Sequence, residues 1–302
     1  MSLVIVVGKF TASRSHTNNG AYILWCRLTY CLVKSSCLIQ NFSVVKKSTM
    51  WLHALSAENT DFPPIDSALT DPNGLLAFGG DLSVERLLNA YRHGIFPWFN
   101  PGEPILWWSP DPRAVFLPAQ LQPNRSMRKW LKKSPFRVTV NRAFSDVIHH
   151  CADVRSGETW ISDQIQAAYV RLHHLGIAHS IEVWQGDTLV GGLYGVAIGL
   201  VFCGESMFSL QDNASKTALL TFNQAFYQAG GTLIDCQVMN PHLASLGAVS
   251  LPRSDFQRIL VEHQTQSLPA SFWRPRELAY RFESLNEQPP MPSGDIQCRT
   301  PD

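Results

Sequence analysis

The sequence predicts an α+β fold in which a small, loop-rich N-terminal domain over residues 50–112 precedes a larger domain over 113–283. Three observations lead there. From Asp61 the chain is punctuated by turn formers around short apolar pieces, as in Asp61-Phe-Pro-Pro and Asp71-Pro-Asn-Gly. The stretch Gly94 to Arg113 holds three tryptophans, two phenylalanines and five prolines. No helix interior tolerates so many prolines, and a central strand would lose a ladder donor at each. After Arg113, strand and helix patterns alternate and lead into a clear hairpin.

Taken in order, Ser83 caps a helix from Val84 to about His93, with Leu87, Leu88 and Tyr91 at helical spacing and Gly94 as its stop. The Trp/Pro stretch then reads as a stiff, irregular loop. Its aromatic faces suit a flat ligand such as a nucleobase, or else cap the core. Ala114 to Leu117 is a strand, Ser126 to Lys133 a short basic helix closed by Pro135, and Arg137 to Asn141 a strand. Helices follow over Ala143–Cys151 and Ser162–Leu175, the second ended by Gly176. The hairpin pairs Ser180–Trp184 with Thr188–Gly195 around Gln185-Gly186-Asp187, and a third strand runs from Ala197 to Cys203. Ser215 to Gln228 is a long helix ended by Gly230-Gly231, Thr232 to Gln237 a buried strand, and Phe256 to Gln264 a last helix. Residues 1–49 read as a poorly structured extension, with Met50 as an alternative start, and the Pro/Ser/Asn-rich tail over 284–302 as disordered.

Of the 302 residues, 45% are hydrophobic and 16% charged, which fits a protein with a substantial core. The net charge of +1 hides an asymmetry: six basic residues and no acid precede Glu58, leaving the remainder at −5. Any nucleic-acid contact in that remainder requires a local basic patch. One exists. Arg125, Arg128, Lys129, Lys132, Lys133 and Arg137 place six positive charges in thirteen residues, suited to tracking phosphates. The seven cysteines are odd in number and form no CxxC pair, so neither a disulfide framework nor a metal site is indicated, and reduced thiols point to the cytoplasm. No apolar run reaches transmembrane length.

Asp235 and Gln237 lie two apart on an otherwise apolar strand, where alternation would put both side chains on one face. A buried acid and amide are costly unless hydrogen-bonded or used. Such a pair on a buried strand is therefore a candidate functional site.

The element order of the larger domain resembles the acyl-CoA N-acyltransferase (GNAT) fold. That fold usually cradles the coenzyme A pyrophosphate in a Gly-rich loop before its long helix, whereas Glu205 to Lys216 contains no glycine. Five motifs together resemble the leucyl/phenylalanyl-tRNA–protein transferase family. They are Gly94-Ile-Phe-Pro-Trp-Phe, Trp107-Trp-Ser-Pro-Asp-Pro-Arg113, Gly204-Glu-Ser-Met-Phe, Asn213-Ala-Ser-Lys-Thr and Leu233-Ile-Asp-Cys-Gln237. The resemblance runs from about Met50 to about Phe282, with residues 1–49 outside it.

It implies an aminoacyltransferase that moves Leu or Phe, less often Met, from a charged tRNA to the α-amino group of a protein beginning with Arg or Lys, marking it for degradation. Leu-tRNA and Phe-tRNA are the implied donors. No metal or organic cofactor is needed, because the tRNA ester already carries the activated acyl group. The enzyme is expected to be cytoplasmic and monomeric, without a membrane partner. Trp98 and Trp160 match the positions that stack on the terminal adenosine, and Leu193, Phe202 and Phe222 those of the amino-acid pocket. By the same resemblance Gln237 contacts the α-amino group and Asp235 polarises or accepts through Gln237; Glu205 is the other acid placed in the site, where it attracts the cationic N-terminal residue of the acceptor. The five basic residues of the short helix face the acceptor stem. Two other readings stay open: a coenzyme A-dependent N-acetyltransferase of the same fold, and a non-catalytic RNA-binding module.

Overall fold

The structure, a computed structural model, describes residues 14–16, 22–24, 50–154 and 159–282. The expectations for residues 1–49 and for the tail lie outside these, apart from two short strands. Arg14–His16 and Tyr22–Leu24 pair antiparallel, and the second also pairs with Met50–Trp51.

The N-terminal region builds its own sheet from β1 (His53–Leu55), β2 (Leu75–Gly79), β3 (Phe96–Pro97) and β4 (Leu106–Trp108), in the order β1-β2-β4-β3. Helix α1 (Val84–Arg92) lies between β2 and β3, capped as expected by the Ser83 side chain accepting from the Arg86 N–H. The Trp/Pro stretch is therefore more regular than the prolines suggested. Its two strands pair with each other, Pro97 opposite Trp107, and the prolines sit at strand ends and in connections. Its aromatics are mostly core: Trp107 is fully buried, and Phe96, Phe99 and Trp108 are nearly so.

The larger region contributes β5 (Arg113–Phe116), α2 (Arg125–Lys133), β6 (Arg137–Val140), α3 (Phe144–Asp153), α4 (Asp163–His174), β7 (Ala178–Gln185), β8 (Thr188–Ile198) and β9 (Val201–Ser209). The chain continues through α5 (Ala214–Gln228), β10 (Leu233–Gln237), α6 (Pro241–Ser245), β11 (Val249–Leu251), α7 (Arg253–His263) and β12 (Arg276–Leu278). The eight strands form one sheet in the order β11-β5-β10-β9-β8-β7-β6-β12. Every pairing in it is antiparallel except β9 with β10, which α5 connects. The protein is thus mixed α/β, with helices on both faces of the large sheet.

Alternation along the strands separates two cores. Val115, Val201 and Cys203 join the cluster formed with α1, α3, α4, α7 and the small sheet, so the two regions share one hydrophobic body. Phe116 and Phe202 point the other way, into the cluster under α5 and α2.

The expected third strand over Ala197–Cys203 is displaced. Gly199 takes a left-handed φ of 62° and turns the chain, so Ala197 and Ile198 end β8 and the next strand runs on to Ser209. The continuation is hidden in the sequence because the strand carries a buried acid at Glu205, followed by Ser206, where an apolar pattern is expected.

Candidate active site

Two β-bulges bring the site together. In β9, Tyr194 pairs with Ser206 and Gly195 with Gly204, which leaves Glu205 as the extra residue. In β10, Asp235 pairs with Val115 and Gln237 with Ala114, so Cys236 is extra. A bulge re-aims side chains at the point where it breaks the ladder. Gln237 also adopts a left-handed φ of 65°, so the simple alternation expected for Asp235 and Gln237 does not carry through. Its backbone N–H turns onto Asp235 Oδ1 at 2.9 Å, and its side-chain Nε2 donates to Glu205 Oε1 at 2.7 Å.

Asp235 is wholly buried and paired with an equally buried Arg113. The guanidinium grips it in a fork, Nε to Oδ1 at 2.8 Å and Nη2 to Oδ2 at 2.7 Å. The Gln237 N–H adds a third hydrogen bond at 2.9 Å, and the Cys203 thiol also lies against this carboxylate. Asp235 is built to hold its neighbours.

Glu205 is different. Tyr91 from α1 donates to Oε1 at 2.7 Å, Tyr169 from α4 donates to Oε2 at 3.0 Å, and the two hydroxyls are also in hydrogen-bond contact with each other. Three oxygen–oxygen contacts need three protons, and the two tyrosines supply only two. A protonated Glu205 completes the ring: acid to Tyr169, Tyr169 to Tyr91, Tyr91 back to Oε1. Ionisation breaks one link. Burial, the largest effect, and the nearby Asp235 charge push the carboxyl up to about 7, against the lowering by the tyrosine hydroxyls and Arg113. Both tyrosines are pushed well above their ordinary range by burial and by the Glu205 charge, so they stay neutral donors. A carboxyl that changes protonation near neutral pH is matched to exchanging a proton with an amine.

The remaining expected residues fall into three places. Trp98 and Trp160 are partly buried at the margin of the core shared by the two sheets, and the Trp98 ring lies 5.4 Å from that of Trp108. Leu193, Phe202 and Phe222 lie together in the cluster under α5, where the Phe202 and Phe222 rings are 4.6 Å apart and both contact Trp273. The chain's own rings occupy the space between them. Arg125, Arg128, Lys129, Lys132 and Lys133 are all exposed on α2, which buries only Met127. Beneath that helix a cavity of about 150 Å³, bordered by Met127, Trp130, Lys216 and Leu219, separates it from α5.

The structure adds three residues that the sequence reading did not place in the site. Tyr91 registered only as a position at helical spacing, Tyr169 as part of the helix over Ser162–Leu175, and Arg113 as the end of a motif. A buried Asp235 demands a cation, yet nothing in the sequence selects one 122 residues away.

Glu205 is thus a buried acid of raised affinity for protons, held by neutral donors on a mixed α/β scaffold. Residues 115–261 match the leucyl/phenylalanyl-tRNA protein transferase family, and residues 80–111 match the N-terminal domain of that family. The leucyl/phenylalanyl-tRNA–protein transferase of Klebsiella pneumoniae (strain 342) is 60% identical over 229 residues, covering 76% of this chain and 98% of that protein. That of Yersinia pestis bv. Antiqua is 57% identical over 235 residues, covering 78% and 90%. The Erwinia tasmaniensis protein of the same name is 57% identical over 229 residues, covering 76% and 100%. A Staphylococcus epidermidis structure of unknown function aligns at a TM-score of 0.34 and 8% identity over 59% of this chain and 68% of its own, too distant to define a shared fold.

The chain belongs to the leucyl/phenylalanyl-tRNA–protein transferase family. It is an aminoacyltransferase that acts from tRNA onto protein, and the acetyltransferase and RNA-binding-module readings give way to that activity.

Proposed function

We propose that this enzyme transfers Leu or Phe, less often Met, from Leu-tRNA or Phe-tRNA to the N-terminal Arg or Lys of an acceptor protein, and that Glu205 takes the proton from the attacking amine. The neutral amine nitrogen bonds to the acyl carbon, the bond to the tRNA 3′-oxygen breaks, and the proton passes through Glu205 to that oxygen. The observation that carries the reading is the Glu205 carboxyl held by Tyr91, Tyr169 and Gln237 and pushed up to about 7. An N-terminal α-amino group titrates at about 7.7–8.0, so donor and acceptor of the proton are closely matched.

Gln237 orients the amine, and Asp235 holds Gln237. Trp98 and Trp160 offer ring faces to the terminal adenosine, while Leu193, Phe202 and Phe222, packed on one another in this structure, take the amino-acid side chain only once their rings move apart, and hold no partner for a polar group. The crossover of β9, α5 and β10, a parallel pair in an otherwise antiparallel sheet, supports a GNAT-like organisation of the larger domain. Among the described residues no helix is long and apolar enough to cross a membrane, and none of their His, Cys, Asp and Glu side chains cluster to hold a metal. The activated ester needs neither metal nor cofactor. A cytoplasmic monomer that marks its targets for degradation fits this chemistry.

The deciding experiment offers labelled Leu-tRNA with peptides that differ only in their first residue. Peptides beginning with Arg or Lys are expected to be labelled, and one beginning with Glu is not. Equal labelling of all three would contradict the acceptor assignment. The basic helix has its own test. Replacing Lys129, Lys132 and Lys133 by Ala is expected to weaken aminoacyl-tRNA binding and to flatten its salt dependence by roughly 0.7–0.9 log–log units per lost phosphate contact. Turnover of a short aminoacyl-adenosine donor, which lacks those phosphates, should be nearly unchanged. Equal losses with both donors would place α2 outside tRNA recognition.

A further inference from the structure

We propose that Arg113 is a positioning residue for aminoacyl transfer, acting on Glu205 through Asp235 and the bulged backbone of Gln237. This rests on the reading of Glu205 as proton acceptor. The chain of contacts is continuous. The Arg113 fork fixes both oxygens of Asp235 at 2.7 and 2.8 Å. Asp235 Oδ1 accepts the Gln237 N–H at 2.9 Å and so holds a non-glycine residue at φ 65°. That backbone places Gln237 Nε2 2.7 Å from Glu205 Oε1. If the fork is lost, the Gln237 amide loses the acceptor that holds its left-handed geometry.

Arg113 is itself fixed from three sides. Its Nη1 donates to the Gly94 carbonyl at 3.0 Å, and its guanidinium lies 4.8 Å from the Phe96 ring and 4.6 Å from the Phe256 ring. Gly94 sits at φ 68°, where an added Cβ would lie 2.4 Å from Gln257 Nε2 and 2.8 Å from Phe256. The residue therefore locks the segment after α1, helix α7 and the site strand β10 into one arrangement. A structural salt bridge alone requires no such relay into a bulge, because burying an ion pair adds little stability over apolar packing.

The relay has an electrostatic side as well. The groups around Glu205 are Tyr91 from α1, Tyr169 from α4, Cys203 from its own strand, Asp235 with Gln237 from β10, and Arg113 from β5. Tyr194 from β8 interacts with Tyr169 behind them. The tyrosines and the Cys203 thiol are neutral at the working pH, the thiol pushed up by burial. Asp235 is then the negative neighbour of Glu205, and Arg113 is its compensating charge. Removing Arg113 leaves Asp235 uncompensated and makes Glu205 harder to ionise, so the acidic limb of the transfer rate moves to higher pH.

The test is single-turnover transfer from Leu-tRNA to an Arg-starting peptide, as a function of pH, by folded wild type, Arg113→Lys, Arg113→Met, Arg113→Met/Asp235→Asn and Glu205→Gln. Arg113→Lys keeps the charge and loses the fork; it is expected to slow the step by roughly 10²-fold while changing tRNA affinity by less than about twofold. In Arg113→Met the acidic limb should rise by about one pH unit, and in the double variant, with both charges gone, it should return toward the wild-type position. A rate that only tracks the folded fraction, with the limb unmoved, overturns the proposal. Should Arg113→Met fail to fold, Arg113→Lys decides: an unchanged maximal rate overturns it. Full transfer by Glu205→Gln would instead overturn the proton-acceptor reading, so the two failures are distinct.

Discussion

Glu205→Gln is expected to abolish most transfer while making the protein more stable at neutral and alkaline pH. Gln can donate to Tyr169 as the protonated acid does, so the ring of hydrogen bonds with Tyr91 survives. What it lacks is the ability to take a proton. Positioned acid–base groups contribute ~10²–10⁴-fold to rate, and a single-turnover loss of that size is the expected result, with tRNA binding little altered. The stability effect follows from linkage. In the folded protein the carboxyl binds its proton more tightly than in the unfolded chain, rising from 4.5 to about 7. That contribution is complete at pH below the unfolded value and is lost as pH rises through about 7. Gln does not titrate. Between about pH 4.5 and about pH 8 the variant should therefore gain on wild type by on the order of 3 kcal/mol, measured by denaturant unfolding. A constant stability difference across that range would contradict the buried, proton-binding carboxyl. Lost function with gained stability is the signature of a residue retained for chemistry.

Asp235→Ala should do the reverse and weaken both fold and rate. It leaves the Arg113 guanidinium, 1% exposed, without its partner. Removing one member of a buried pair costs about 3–5 kcal/mol, and the Gln237 N–H also loses its acceptor. Under conditions where the variant remains folded, single-turnover transfer should fall much more than binding of charged tRNA, because Gln237 no longer holds its place beside Glu205. Asp235→Asn, which keeps the shape but not the charge, should cost less stability than Ala. A variant with normal rate and weakened binding would assign Asp235 to substrate binding instead.

Much of the scaffold was legible from local chemistry. Ser83 and Ser162 cap the helices they were expected to start, and the hairpin turns at Gly186-Asp187, with Gly186 at φ 59°. These signals act within a few residues, so one sequence contains them whole. The small sheet was not legible, because Leu75–Gly79 and Leu106–Trp108 are short and the prolines and glycines around them read as turns. The end of the meander was misplaced where Glu205 interrupts the apolar pattern. The site was half legible. Asp235 and Gln237 stood out as polar groups on an apolar strand, and Glu205 within a recognisable motif. Tyr91, Tyr169 and Arg113 did not, since each is an ordinary residue until the fold brings it to the acid. The two bulges that aim Glu205 and Gln237 are likewise set by pairing between distant strands.

The central claim is that Glu205 exchanges its proton near neutrality. Its carboxyl can be followed directly by infrared difference spectroscopy, comparing wild type with Glu205→Gln while pH is varied in the absence of substrate. The account predicts a protonated-carboxyl band, missing from the variant, that disappears with a midpoint near 7. A midpoint at the ordinary glutamate value of about 4.3 would contradict it.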